Sequence, residues 1–368
     1  MTVTVKMINP GRFSFLILAV CVLALAGCTT LPEKPATARK GPLYWPALPD
    51  QPRFVYETDL RDSNSIRAET ETDRFKQLVT EGKPAVQSFK KAFAVAARFG
   101  SIYVTDTEDR VVYVFDVPLR KFYSFGYRPE GGLRKPLGIA LDGKMNVYVA
   151  DASERRIMVY DRLGLFQRAI GSREELKRPV GVAVNRAGDR IYVVDTGDAE
   201  NDDHHVVVYD GAGTKLFTIG KRGSAPGEFN FPVAAAVAPD GTLYVLDAGN
   251  FRVQAFTPDG KFLRSFGSVG NGFGQFARPR GIAVDDEGNV YVSDTVFGNV
   301  QVFNSDGELL LAIGERSLED GPGKFLLPAG VAVDETGRLY VVDQFFHKVE
   351  VIRRLTDEEG MRIVRANR

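Results

Sequence analysis

An apolar run opens the chain. Phe13 to Leu25 carries no charge and follows Met1 to Arg12, which holds Lys6 and Arg12 and no acid. Positive then apolar is the order of an export signal. The run is shorter than the roughly 20 residues of a comfortable bilayer span. Past residue 85 the pattern changes to short apolar segments separated by turns containing Gly, Asp and Asn. One set is Gly281 to Val284, Val290 to Val292, Val300 to Phe303 and Leu309 to Ile313. The inner segments are apolar at successive positions, so both faces of their sheet must be covered. Between 66 and 82, Phe75, Leu78 and Val79 recur at helical spacing, which predicts one short amphipathic helix.

The segments repeat. Tyr-Val-x-Asp stands at Tyr103–Asp106, Tyr148–Asp151, Tyr192–Asp195, Tyr244–Asp247, Tyr291–Asp294 and Tyr340–Asp343, with Asp-to-Asp spacings of 45, 44, 52, 47 and 49. Each unit reads as four strands joined by tight turns, an antiparallel meander. Six such sheets, each covered on both faces, predict an all-β chain folded as a six-bladed β-propeller of four-stranded antiparallel blades. Gly-x-Phe-x-x-Pro recurs between units at Gly227–Pro232, Gly274–Pro279 and Gly323–Pro328, and Leu133 and Leu176 stand in for the Phe before Pro136 and Pro179. The apolar residue is expected to plug the space between blades. The sixth unit lacks its own outer strand. Residues 53–58 are expected to supply it and close the ring, with 361–366 as the competing segment.

Gly281-Ile282-Ala283-Val284-Asp285, then Val290-Tyr291-Val292-Ser293-Asp294, then Val300-Gln301-Val302-Phe303, resembles the NHL repeat. The resemblance runs over about residues 85–353 and departs at Ala234 and at Ala92 to Val95. It implies the propeller and leaves the function open, because one scaffold serves many tasks. Leu25-Ala26-Gly27-Cys28 resembles the lipobox of bacterial lipoproteins. That resemblance implies removal of residues 1–27 as a signal peptide and acylation of Cys28. Thr29 in place of Asp implies delivery to the outer membrane of a Gram-negative cell. Residues 28–52 read as a Pro-rich tether, 53–353 as the propeller and 354–368 as a tail.

Charge and cysteine content narrow the chemistry. The chain has 47 basic and 47 acidic side chains in 368 residues, which argues against nucleic acid as a partner. Loss of residues 1–27 removes Cys21 and leaves Cys28, itself blocked, so neither a disulfide nor a thiol is expected.

The six repeat aspartates are read as structural acceptors of turn amides, since repeats share a scaffold rather than a site. The residue before each third strand is Arg110, Arg156, His205, Arg252, Asn299 or Lys348. These are candidates for a ring that attracts an anion or an acidic glycan at the channel mouth, or else local partners of the aspartates. Phe251, Phe297, Phe345 and Phe346, beside Arg252, Arg280 and Lys348, have the composition of an interface; the alternative is that they tuck between blades. The insertion before His205 offers Asp198, Glu200, Asp202, Asp203 and His204 as weak candidates for calcium or zinc, with a solvated acidic loop favoured.

Lactonases of the gluconolactonase type and the amidating lyase are propellers that hold calcium or zinc at the channel. Here the inner strands carry no acid and three histidines are too few, so no catalytic residue and no cofactor is expected. The expected function is a non-catalytic, envelope-anchored binding platform for a protein or glycan, held to the membrane by its lipid alone. The alternative is a hydrolase or lyase with a metal-assisted site at the channel mouth.

Overall fold

The computed structural model describes residues 41–66, 86–197 and 203–367. Cys28, the signal segment and residues 67–82 of the expected helix lie outside the described residues. Ile66 follows a short 3₁₀ turn at Ser63–Ser65, capped by the Asp62 side chain.

Five four-stranded antiparallel sheets follow one another, spanning residues 92–125, 136–170, 179–219, 232–266 and 279–313 (blades 1 to 5). The sixth blade has strands Pro328–Val333, Leu339–Asp343 and Lys348–Arg354. Phe54–Leu60 from the N-terminal side pairs antiparallel with Lys348–Arg354, and Tyr44–Trp45 pairs with Val55 and Phe54 as a fifth strand. Each innermost strand packs on the next, and that of blade 6 packs on that of blade 1. The fold is thus a closed six-bladed propeller.

The segment before residue 53 is docked on the propeller, because Trp45 joins the apolar cluster between blades 5 and 6 with Phe54 and Phe325. The C-terminal tail is a helix, Asp357–Ala366, so 361–366 forms no strand. Thr356 caps it by accepting the Glu359 amide at 3.2 Å, and Glu359 returns a bond to the Thr356 amide.

The repeat residues explain why every blade comes out alike. All six aspartates of Tyr-Val-x-Asp are fully buried. Asp294 accepts from the amides of Ala277, Arg278, Val296 and Phe297. Asp106, Asp151 and Asp343 each accept four backbone amides in the same way. One carboxylate therefore ties the connector entering a blade to that blade's second loop, and satisfies buried donors that would otherwise be costly. The connector residues Phe229, Phe276 and Phe325 are fully buried, as the plug reading expects.

The meander puts the first and third turns of every blade at one end of the axis. The second loops and the connectors share the other end.

Candidate functional site

The innermost strands converge towards the connector end. A Cβ added to Gly138 would stand 2.7 Å from the Gly181 Cα, and one on Gly330 would stand 2.5 Å from the Ala94 Cα. This crowding leaves about 60 Å³ there. Arg280 of blade 5 reaches over Phe93 of blade 1, with its guanidinium carbon 5.8 Å from the ring centroid. Burial, with Arg278 nearby, pulls the Arg280 guanidinium below its ordinary value. Arg280 and Phe93 plug the axis.

The six residues before the third strands do not make a ring. Arg110 and Arg156 are exposed. His205 is half-buried, and burial lowers its pKa against the opposing pull of Asp195 and Asp203. Arg252 donates from Nε to Asp247 at 2.9 Å and from Nη2 to the Glu228 carbonyl at 2.9 Å. Lys348 is fully buried, with Nζ 2.8 Å from both Glu350 and the Gly321 carbonyl and 3.2 Å from Asp320. Strand register is shared in blades 2 to 6 although burial is not. In blades 2 to 6 this residue lies directly opposite the repeat aspartate, where a cation is drawn into the blade unless it leans to solvent.

The aromatic candidates divide as well. Phe251 packs against the cluster between blades 4 and 5. Phe297 is half-buried. Phe346 lies beneath the Lys348 ammonium, 5.6 Å from its ring centroid, whereas its T-shaped partner Phe345 is 50% exposed. Of the metal candidates, Asp198, Glu200 and Asp202 lie outside the described residues. His204 is buried beside the Phe231 ring, 4.5 Å between centroids, and its Nδ1 accepts the Phe231 amide at 3.2 Å. Asp203 is described beside it. Among the described residues no three His, Cys, Asp or Glu side chains are grouped to hold a metal ion.

A different set encircles the plug. The residue just before each innermost strand is Lys91, Lys135, Arg178, Phe231, Arg278 or Leu327, and all six are exposed. Their backbones are fixed because each stands in the connector segment clipped by the repeat aspartate. Lys91, Lys135, Arg178 and Arg278 have no carboxylate within ion-pair distance among the described residues. Around them the connectors and second loops expose Phe273 (79%) and Leu318 (81%), with Val296 and Phe345. Aligning the six units on their inner strands brings these four cations into one column. Scanning the residue before the third strand, two strands further along, misses them.

Comparison with known proteins agrees with this architecture. A family model described as NHL repeat matches residues 229–256 and 276–303, in blades 4 and 5. A 45-residue stretch, 12% of the chain, is 47% identical to the human E3 ubiquitin-protein ligase TRIM32, and covers 7% of that protein. A solved protein of unknown function from Bacteroides thetaiotaomicron is 20% identical, with 74% of this chain and 71% of that one covered, at a TM-score of 0.55. A gluconolactonase from Xanthomonas campestris is 20% identical over 73% of this chain and 88% of its own, at 0.54. A streptogramin B lyase is 11% identical over 73% and 94%, also at 0.54. At these identities the likeness is one of fold. The chain is a six-bladed β-propeller in which residues 229–256 and 276–303 match the NHL repeat.

Proposed function

We propose that this propeller is a non-catalytic binding platform, held in the bacterial envelope by an acylated Cys28, whose connector end grips an acidic protein or glycan. The observation that carries this reading is the ring of Lys91, Lys135, Arg178 and Arg278, unpaired among the described residues and interleaved with exposed Phe231, Phe345 and Leu327. Cations without partners at the centre of an apolar patch steer an acidic ligand and hold it by burial. The plugged axis supports binding over turnover, since about 60 Å³ at this end is too small for a substrate. A hydrolase or lyase reading draws on the fold shared with a lactonase and a lyase.

Crosslinking in the intact envelope tests the platform. The parent chain should capture a defined partner. Arg178→Glu combined with Arg278→Glu should reduce capture at least tenfold, and Phe345→Ala should reduce it several-fold. Equal capture by parent and charge-reversed chains would refute the connector end as the binding face. Labelling with palmitate that survives Cys28→Ser would refute the anchor separately.

A further inference from the structure

The other end of the axis is open. A chamber of about 430 Å³ lies among the first turns of the blades, within the usual range of small-molecule sites. Its floor is a collar of aliphatic side chains from the innermost strands, and its rim is polar. Blade 1 departs from the repeat here. Where blades 2, 5 and 6 follow the inner strand with Asp142, Asp285 and Asp334, which accept their own turn amides, blade 1 has Arg98. Its turn is only two residues long, since Arg98 pairs with Ser101.

Arg98 Nε is buried and has no hydrogen-bond partner. Its guanidinium lies 5.1 Å from the ring centroid of Phe99, which is 57% exposed. Phe99 takes a left-handed backbone conformation, φ 50°, that a bulky residue seldom adopts. Glu335 of blade 6 pins it there by accepting its amide at 3.0 and 3.2 Å. Across the opening, Arg186 of blade 3 pairs with Asp286 of blade 5. Asp240 adds a further carboxylate to the lining.

We infer that this chamber binds a neutral saccharide unit. A hydroxyl both donates and accepts, so one polyol suits a lining that sets the Arg98 guanidinium beside the carboxylates of Asp240 and Asp286. The aliphatic floor suits the C–H faces of a sugar. Carboxylates outnumber arginines in the lining, which disfavours an anionic ligand. The chamber is at the opposite end from the connector-end surface, and the inference does not depend on it.

Titration calorimetry of the detergent-solubilised full chain with glucose, N-acetylglucosamine and glucuronate tests it. At least one neutral sugar should bind, and glucuronate should bind at least tenfold more weakly. Arg98→Met should weaken the neutral sugar at least tenfold, and Val269→Ala, on an exposed connector at the other end, should leave it unchanged. If Arg98→Met loses its folded circular dichroism, Asp240→Asn serves in its place with the same expected loss. Absence of binding by both neutral sugars, tighter binding of glucuronate, or indifference to the chamber substitution would each overturn the inference.

Discussion

Glu350 stands where blades 4 and 5 carry Gln254 and Gln301. Each glutamine accepts a connector glycine amide, Gly227 at 2.9 Å or Gly274 at 2.7 Å, and donates to a connector carbonyl. In blade 6 the Glu350 carboxylate accepts the Gly323 amide at 2.7 Å, and Lys348 donates to the Gly321 carbonyl as Arg252 donates to the Ala225 carbonyl in blade 4. A neutral amide has given way to a buried carboxyl, 2.8 Å from Lys348. Burial pushes the Glu350 carboxyl up to about 7, against the downward pull of Lys348. The folded chain therefore holds this proton more tightly than the unfolded chain, whose carboxyl titrates near 4.5. The stability it lends is complete below the unfolded value and is lost as pH rises through 7. Glu350→Gln leaves Lys348 with Asp320 and should flatten that dependence. Urea midpoints of both chains followed from about pH 5 to about pH 8 decide the matter, and parallel curves would sink the assignment.

At the scale of the element, the innermost strand is where sequence and geometry constrain each other most. Gly138, Gly181, Gly281 and Gly330 occupy one position in their strands, and Ala94 and Ala234 hold it in blades 1 and 4. A Cβ on Gly330 meets the Ala94 Cα and the Phe93 carbonyl oxygen, both backbone atoms that cannot swing away. Gly330→Ala should cost about 1–3 kcal/mol by overpacking the ring. Urea denaturation measures the loss, and a variant as stable as the parent would show that the blades have room to part. The Gly-Ile-Ala-Val pattern was legible as a strand covered on both faces. The reason for its glycine was not, because the clash lies with a residue one blade away.

For the molecule as a whole, closure is the central event. Blade 6 takes its outer strand from Phe54–Leu60, nearly 300 residues before the strand it pairs with. Arg338 reinforces the join by donating to Glu57 from Nε at 2.7 Å and from Nη2 at 3.2 Å, and Arg61 bridges to Asp320 of the connector at 2.7 Å. Deleting residues 41–60 leaves Lys348–Arg354 as an open edge, a template for pairing with another chain. The shortened chain should leave the monomer peak in size-exclusion chromatography and aggregate. A deletion variant that stays monomeric and melts at the parent temperature would show that the ring holds without its latch.

Blade number, strand order and the structural duty of the repeat aspartates were set by the sequence itself, because each depends on contacts within one unit of about 45 residues that recurs six times. What the two ends of the axis present was decided only by the tertiary structure. Arg280 and Phe93 are 187 residues apart in the chain, Arg186 and Asp286 are 100 apart, and both pairs meet because closing the ring brings non-adjacent blades to a common axis. A local pattern shows that a residue departs from its repeat. Which residue from another blade it then meets follows from the curvature of the whole.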